Sequence, residues 1–283
     1  MSAVLFADDA AFVLHEKSIK GLRTHLNREV KSVYEWLIKN KLTINLKKTK
    51  YMIFHRKKGA KIQRQLKKFR VNINKYCIKQ VNEFKYLGVV LDNKLNWHKH
   101  IEILCTKLSR ASGVLYRLKP FLPQNTLRMV YHSLVSCHFY SGIASWGSAR
   151  STALKKLNRH HKKSVKNAIK YRYSYDIFDT LKVFTINSIY NIELIKFINS
   201  VRLGKCPDNF TNCVRNINHG HNTRAAVSDC LQLPRPRTEL GKTSVKFQGA
   251  RAWNSLPISI KSKGQSKSFP KHLKRHILNN QNE

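Results

Sequence analysis

The run VLFADDAAFVL, residues 4–14, sets two adjacent carboxylates, Asp8 and Asp9, inside an otherwise unbroken apolar stretch. It reads as strand, tight turn, strand, with flanks apolar enough to be buried on both faces. The pairing of two like charges is conspicuous here, because the chain carries only 15 Asp and Glu against 54 Lys and Arg.

Two carboxylates at a hairpin tip have two chemical uses. They can hold a hard divalent cation, Mg²⁺ or Mn²⁺, which prefers carboxylate oxygens and relieves the like-charge repulsion. They can also share one proton as a dyad. A merely structural turn is the competing reading, although such turns usually contain Gly, Asn or Pro. The metal reading suits a chain built to hold a polyanion, since ions on clustered Asp residues can activate a hydroxyl and stabilise a leaving oxygen in phosphoryl transfer.

The net charge of +39 over 283 residues makes a polyanionic partner the natural expectation. Nucleic acid comes first and an anionic membrane surface second. No run of roughly 18 apolar residues reads as a transmembrane helix. No basic region precedes the first apolar stretch, so a signal peptide is not expected. Cys77, Cys105, Cys137, Cys206, Cys213 and Cys230 follow no framework pattern and read as reduced thiols of an intracellular protein.

Outward from the hairpin, Ile19, Leu22, Leu26, Val30, Val33 and Leu37 form the apolar stripe of an amphipathic helix, with Ser18 as its cap. A turn and a strand, Tyr51 to Phe54, follow. Residues 56–70 are nearly all basic or polar and read as a solvated excursion, and strand character returns up to about residue 96. Beyond Trp97 the chain turns helical. From Ile103 to Tyr175 there is no acid against fourteen Lys and Arg, more than an ordinary solvated face explains. Past Pro207 the sequence is looser and ends in a basic helix. Cys206, Cys213, His219 and His221 match no compact zinc spacing, so zinc is not expected. Trp253 and Leu256 read as a small structural cluster.

Phe6-Ala7-Asp8-Asp9 resembles the F/Y-x-D-D signature of reverse transcriptases, and later segments match in order. WLIKNKLTINLKKTKYMIF, residues 36–54, resembles the next element of non-LTR retrotransposon polymerases, with Asn45, Lys48 and Thr49 at its characteristic positions. FKYLGVVLDNKLNWHKHI, residues 84–101, resembles the primer-grip hairpin and the entry to the thumb. YSGIASWGS, FQGARAWNSLP and SFPKHLKRHIL resemble the tail of jockey-like elements.

The resemblance implies an α+β chain: residues 1–96 as the C-terminal half of a palm, 97–175 as a helical basic thumb, and 176–283 as a C-terminal extension. Asp8 would be a direct ligand of Mg²⁺ or Mn²⁺, Asp9 its neighbour, and Phe6 an aromatic residue packing near the primer end. Lys48 would meet the phosphates of the incoming dNTP or protonate the leaving pyrophosphate; a solvated turn of Lys47, Lys48 and Lys50 is the alternative. Tyr86, Leu87 and Gly88 would form the primer-grip turn, with a simple strand bulge at Gly88 as the alternative. Lys107, Arg110, Arg117, Lys155, Lys156, Arg159, Lys162, Lys163 and Lys166 would track the backbone of an RNA template and DNA primer, positioning it without reading sequence. An intracellular, nuclear location is implied, with no membrane partner. The family's earlier catalytic Asp, its fingers and its endonuclease have no counterpart in these residues. The chain is therefore expected to be a fragment lacking the N-terminal polymerase half, or a catalytically inactive nucleic-acid-binding remnant.

Overall fold

The computed structural model describes residues 1–55, 59–171, 176–215 and 229–280, with the side chain of Lys61 left out. Helix and strand are mixed as expected, and the fold class is α+β. The chain forms two compact units. The first comprises Met1–Tyr86 and Val90–Leu95, the second Leu87–Val89 and Asn96–Glu283.

The first unit opens with β1 (Ser2–Phe6) and β2 (Asp9–Val13), an antiparallel hairpin closed by the Phe6–Asp9 pair. All of β1 is exposed, and in β2 only Ala11 is half-buried. The expected burial on both faces is therefore not found. Among the described residues these two strands pair only with each other, so no sheet neighbour covers Leu5 or Phe6.

α1 (Ile19–Lys39) starts where expected, with the Ser18 hydroxyl accepting from Gly21 N–H at 3.0 Å. Ile19, Leu22, Leu26, Val30 and Tyr34 lie against a cluster of Ile53, Phe69, Val71, Ile73 and Ile78. That cluster is carried largely by β3 (Lys50–Tyr51), β4 (Val71–Ile73) and β5 (Tyr76–Gln80), a sheet of order β3-β5-β4. Asn27 ties α1 to β4, accepting from Asn72 N–H at 2.9 Å. The solvated excursion is corrected: after residues 56–58, which lie outside the described residues, α2 (Ala60–Lys67) forms, and Leu66 and Phe69 join the core. β6 (Glu83–Tyr86) and β7 (Val89–Asp92) make a further hairpin.

In the second unit α3 (His98–Leu118) and α7 (Ser151–Asn167) run parallel. Ser109 meets His160 at 3.0 Å and Asn167 donates to the Ser112 carbonyl at 3.0 Å, so both numberings rise together along the seam. A parallel pair needs a return path. It is supplied by α4 (Gln124–Tyr131), a π-helical turn (His132–Ser136), α5 (Cys137–Tyr140) and α6 (Ile143–Trp146). α8 (Ile177–Leu181) and α9 (Ile186–Arg202) complete the main core, which draws residues from both sides of position 175. After a 3₁₀ turn (Asp208–Cys213) come α10 (Glu239–Lys242), α11 (Val245–Asn254), α12 (Ile258–Lys261) and α13 (Phe269–Asn279). These wrap a second cluster in which Trp253 and Leu256 are buried beside Ile198 and Leu273, as their structural reading anticipated.

Candidate functional site

The carboxylate hairpin turns through Ala7 and Asp8. Ala7 has φ 50°, a left-handed conformation that costs an L-residue with a Cβ roughly 1–2 kcal/mol. The turn places Asp8 at the tip and Asp9 at the first ladder position, both solvent-exposed, with Phe6 directly opposite Asp9 and itself 61% exposed. Among the described residues no group of three or more His, Cys, Asp or Glu side chains is arranged to hold a metal ion, so Asp8 and Asp9 have no third such ligand beside them.

Lys48 sits in a turn built by Asn45. The Asn45 side-chain oxygen accepts from Lys48 N–H at 3.1 Å, and its carbonyl accepts from Thr49 N–H at 2.8 Å and from the Thr49 hydroxyl at 2.9 Å. Asn45 and Thr49 therefore fix the entry into β3, and they leave the Lys48 side chain exposed.

The β6–β7 turn is made by Leu87 (φ 45°) and Gly88 (φ 86°), two successive left-handed residues that match the twist of a two-residue hairpin. A Cβ at Gly88 would meet the Ser141 hydroxyl at 3.2 Å. Gly88 thus belongs to a tight turn with a close neighbour, not to a strand bulge. Tyr86 precedes the turn with its hydroxyl enclosed and, among the described residues, without a hydrogen-bond partner.

All nine basic residues expected on the helices are exposed, but they do not share one face. At 100° per residue, Lys107, Arg110 and Arg117 fall on the side of α3 away from the α7 seam. Lys107 instead faces His100 and His138, depressing the protonation of both after burial has done most of that work. On α7, Lys156 and Lys163 flank the seam. There burial, and then Lys156, Lys163 and Arg159, hold the His160 imidazole below its usual range.

Lys155, Arg159 and Lys162 face a different way, into a cleft of about 1110 Å³ in the second unit. α9, α11 and α13 supply its other walls, among them Arg251 and His276. No Asp or Glu lines it among the described residues. Sequence reasoning missed Arg251 and His276, whose only signal was the basic character of the last 40 residues. Of the unfavoured zinc set, Cys206 and Cys213 are half-buried, and His219 and His221 lie outside the described residues.

These features define a strongly basic α+β protein with solvent-facing cations and an exposed aspartate pair. Among the described residues, no helix is long and apolar enough to cross a membrane. Over 162 residues the chain is 27% identical to the RNA-directed DNA polymerase from mobile element jockey of Drosophila melanogaster, and over 156 residues 26% identical to the protein of the same name from Drosophila funebris. Each match covers 54% of this chain and 16% of the relative, so the chain aligns with a small part of the proteins it matches. The chain is thus distantly similar to jockey RNA-directed DNA polymerases. No family model matches the chain, and no solved structure matches it.

Proposed function

We propose that this chain is part of the RNA-directed DNA polymerase of a jockey-like non-LTR retrotransposon. Residues 1–96 are a portion of its palm and 97–175 its thumb, working in the nucleus on an RNA template and a DNA primer. The similarity to two jockey polymerases carries the proposal, and the exposed Lys and Arg residues of α3 and α7 support it.

The donor set at the hairpin suits Mg²⁺, which is usually held by one or two carboxylates together with waters and substrate phosphates. Asp8 would be the ligand and Asp9 its neighbour. The ion would supply positive charge to a transferring phosphoryl group. Lys48, exposed beside its Asn45 turn, would meet the phosphates of the dNTP. The left-handed turn at Leu87 and Gly88 would bring backbone, without intervening bulk, to the primer. Lys and Arg on α3 and α7 would neutralise strand phosphates, which fixes position and carries no sequence preference.

A second reading, a catalytically inactive nucleic-acid-binding protein, is favoured by one observation: the aspartate pair has no third acid beside it among the described residues. Primer extension on an RNA template with Mg²⁺ or Mn²⁺ separates the two. Incorporation abolished by Asp8→Ala sustains the polymerase site, whereas incorporation that survives the substitution refutes it. Template–primer binding with no incorporation leaves the second reading.

A further inference from the structure

The cleft among α7, α9, α11 and α13 has no role in a thumb that meets a duplex along exposed helix faces. We propose that it binds a single strand of nucleic acid, with the strand's phosphates against α7. This rests on the nucleic-acid reading above and gives residues 245–280 a share in the site.

Lys155, Arg159 and Lys162 recur at four and three residues, one stripe of α7 about 10 Å long at 1.5 Å per residue. Such a row can follow successive phosphates of one strand. Arg251 of α11 adds a fourth positive charge from another wall, and no carboxylate among the described lining residues opposes it. At about 1110 Å³ the cleft stands at the top of the roughly 300–1,000 Å³ range of small-molecule sites, so its size admits a short stretch of strand.

The rest of the lining distinguishes a single strand from a duplex. Asn158 and Asn191 offer amides to base edges, and the half-buried Ala252 and Ile277 offer apolar surface to base faces. In a duplex those edges are paired and those faces stacked, so these groups would meet nothing they can use. With four phosphates neutralised, the logarithm of affinity should fall with the logarithm of salt with a slope of about −3.

The test is fluorescence anisotropy on the full chain, using labelled single strands of about 12 nucleotides, as RNA and as DNA, and the corresponding duplex. Arg251 is exposed, so Arg251→Ala is expected to keep the fold, checked by circular dichroism. It is expected to weaken single-strand binding about tenfold and to flatten the salt slope by about 0.7, with duplex binding nearly unchanged. A Lys20→Ala/Lys39→Ala variant, altered at exposed positions of α1, is expected to leave single-strand binding intact.

The proposal is overturned if Arg251→Ala leaves single-strand affinity and slope at wild-type values, or weakens duplex and single strand equally. Loss of single-strand binding in the α1 variant would also overturn it. A wild-type chain that binds neither form with salt dependence overturns the wider nucleic-acid reading as well. Whichever of RNA and DNA binds more tightly identifies the strand and upholds the site.

Discussion

Acid is expected to destabilise this protein through His161. The imidazole is enclosed by Tyr131, Phe139 and Phe178, with Nε2 2.6 Å from the Tyr131 hydroxyl and Nδ1 without a partner among the described residues. Burial pushes its pKa down to about 3, against about 6.5 in an unfolded chain. Between those values the unfolded chain holds a proton that the folded one refuses. The stability is therefore fully present above pH 6.5 and is lost as the pH falls toward 3. The penalty from this one group is about 0.2 kcal/mol at pH 7 and about 2 kcal/mol at pH 5. Changing both partners, His161→Phe with Tyr131→Phe, removes the proton site without leaving a buried hydroxyl orphaned. Urea unfolding followed by the fluorescence of buried Trp146 and Trp253 measures the effect. The double variant should lose about 2 kcal/mol less than wild type between pH 7 and pH 5. Parallel pH profiles for the two proteins would refute the reasoning.

Two other substitutions follow from the geometry. Leu87→Asn places a residue tolerant of left-handed backbone before Gly88, completing an Asn-Gly turn. Because Leu87 is 45% exposed and gives up little burial, a gain of about 1 kcal/mol is expected in urea unfolding. Arg202 holds both oxygens of Asp229 at 2.5 and 2.7 Å and lies 4.2 Å from the centre of the Trp253 ring. Arg202→Lys keeps the charge but loses the planar guanidinium stacked on the Trp253 ring, so a loss of about 1 kcal/mol should appear in the same assay.

The hairpin turn at Asp8 was legible because two apolar runs flank two acids, but its exposure was not. Val4, Leu5 and Phe6 show that the strands could be covered, while coverage depends on a partner surface that apolarity alone does not specify. α1, α3, α7 and α9 were legible from stripes at three and four residues. α2 was hidden because its apolar face rests on Leu66 in a segment dominated by Lys and Arg. The Asn45–Thr49 motif was visible as a pattern, yet its local work, side-chain hydrogen bonds that enter β3, needed the backbone geometry. The division of the basic residues among three directions follows from helix angles once the α3–α7 seam is known, and that seam depends on Ser109, Ser112, His160 and Asn167. Arg251 joins Lys155 across nearly a hundred residues of chain, and no local pattern links them.

The central claim is that the positive helices hold a template–primer. Its most direct test is equilibrium binding of the full chain to an RNA–DNA hybrid as salt rises from about 50 to 200 mM. If the six helix cations outside the cleft contact phosphates, affinity should fall about a thousandfold over that range, and Arg110→Glu with Arg117→Glu and Lys166→Glu should flatten the fall. An affinity indifferent to salt, or unchanged by those three reversals, would contradict the account.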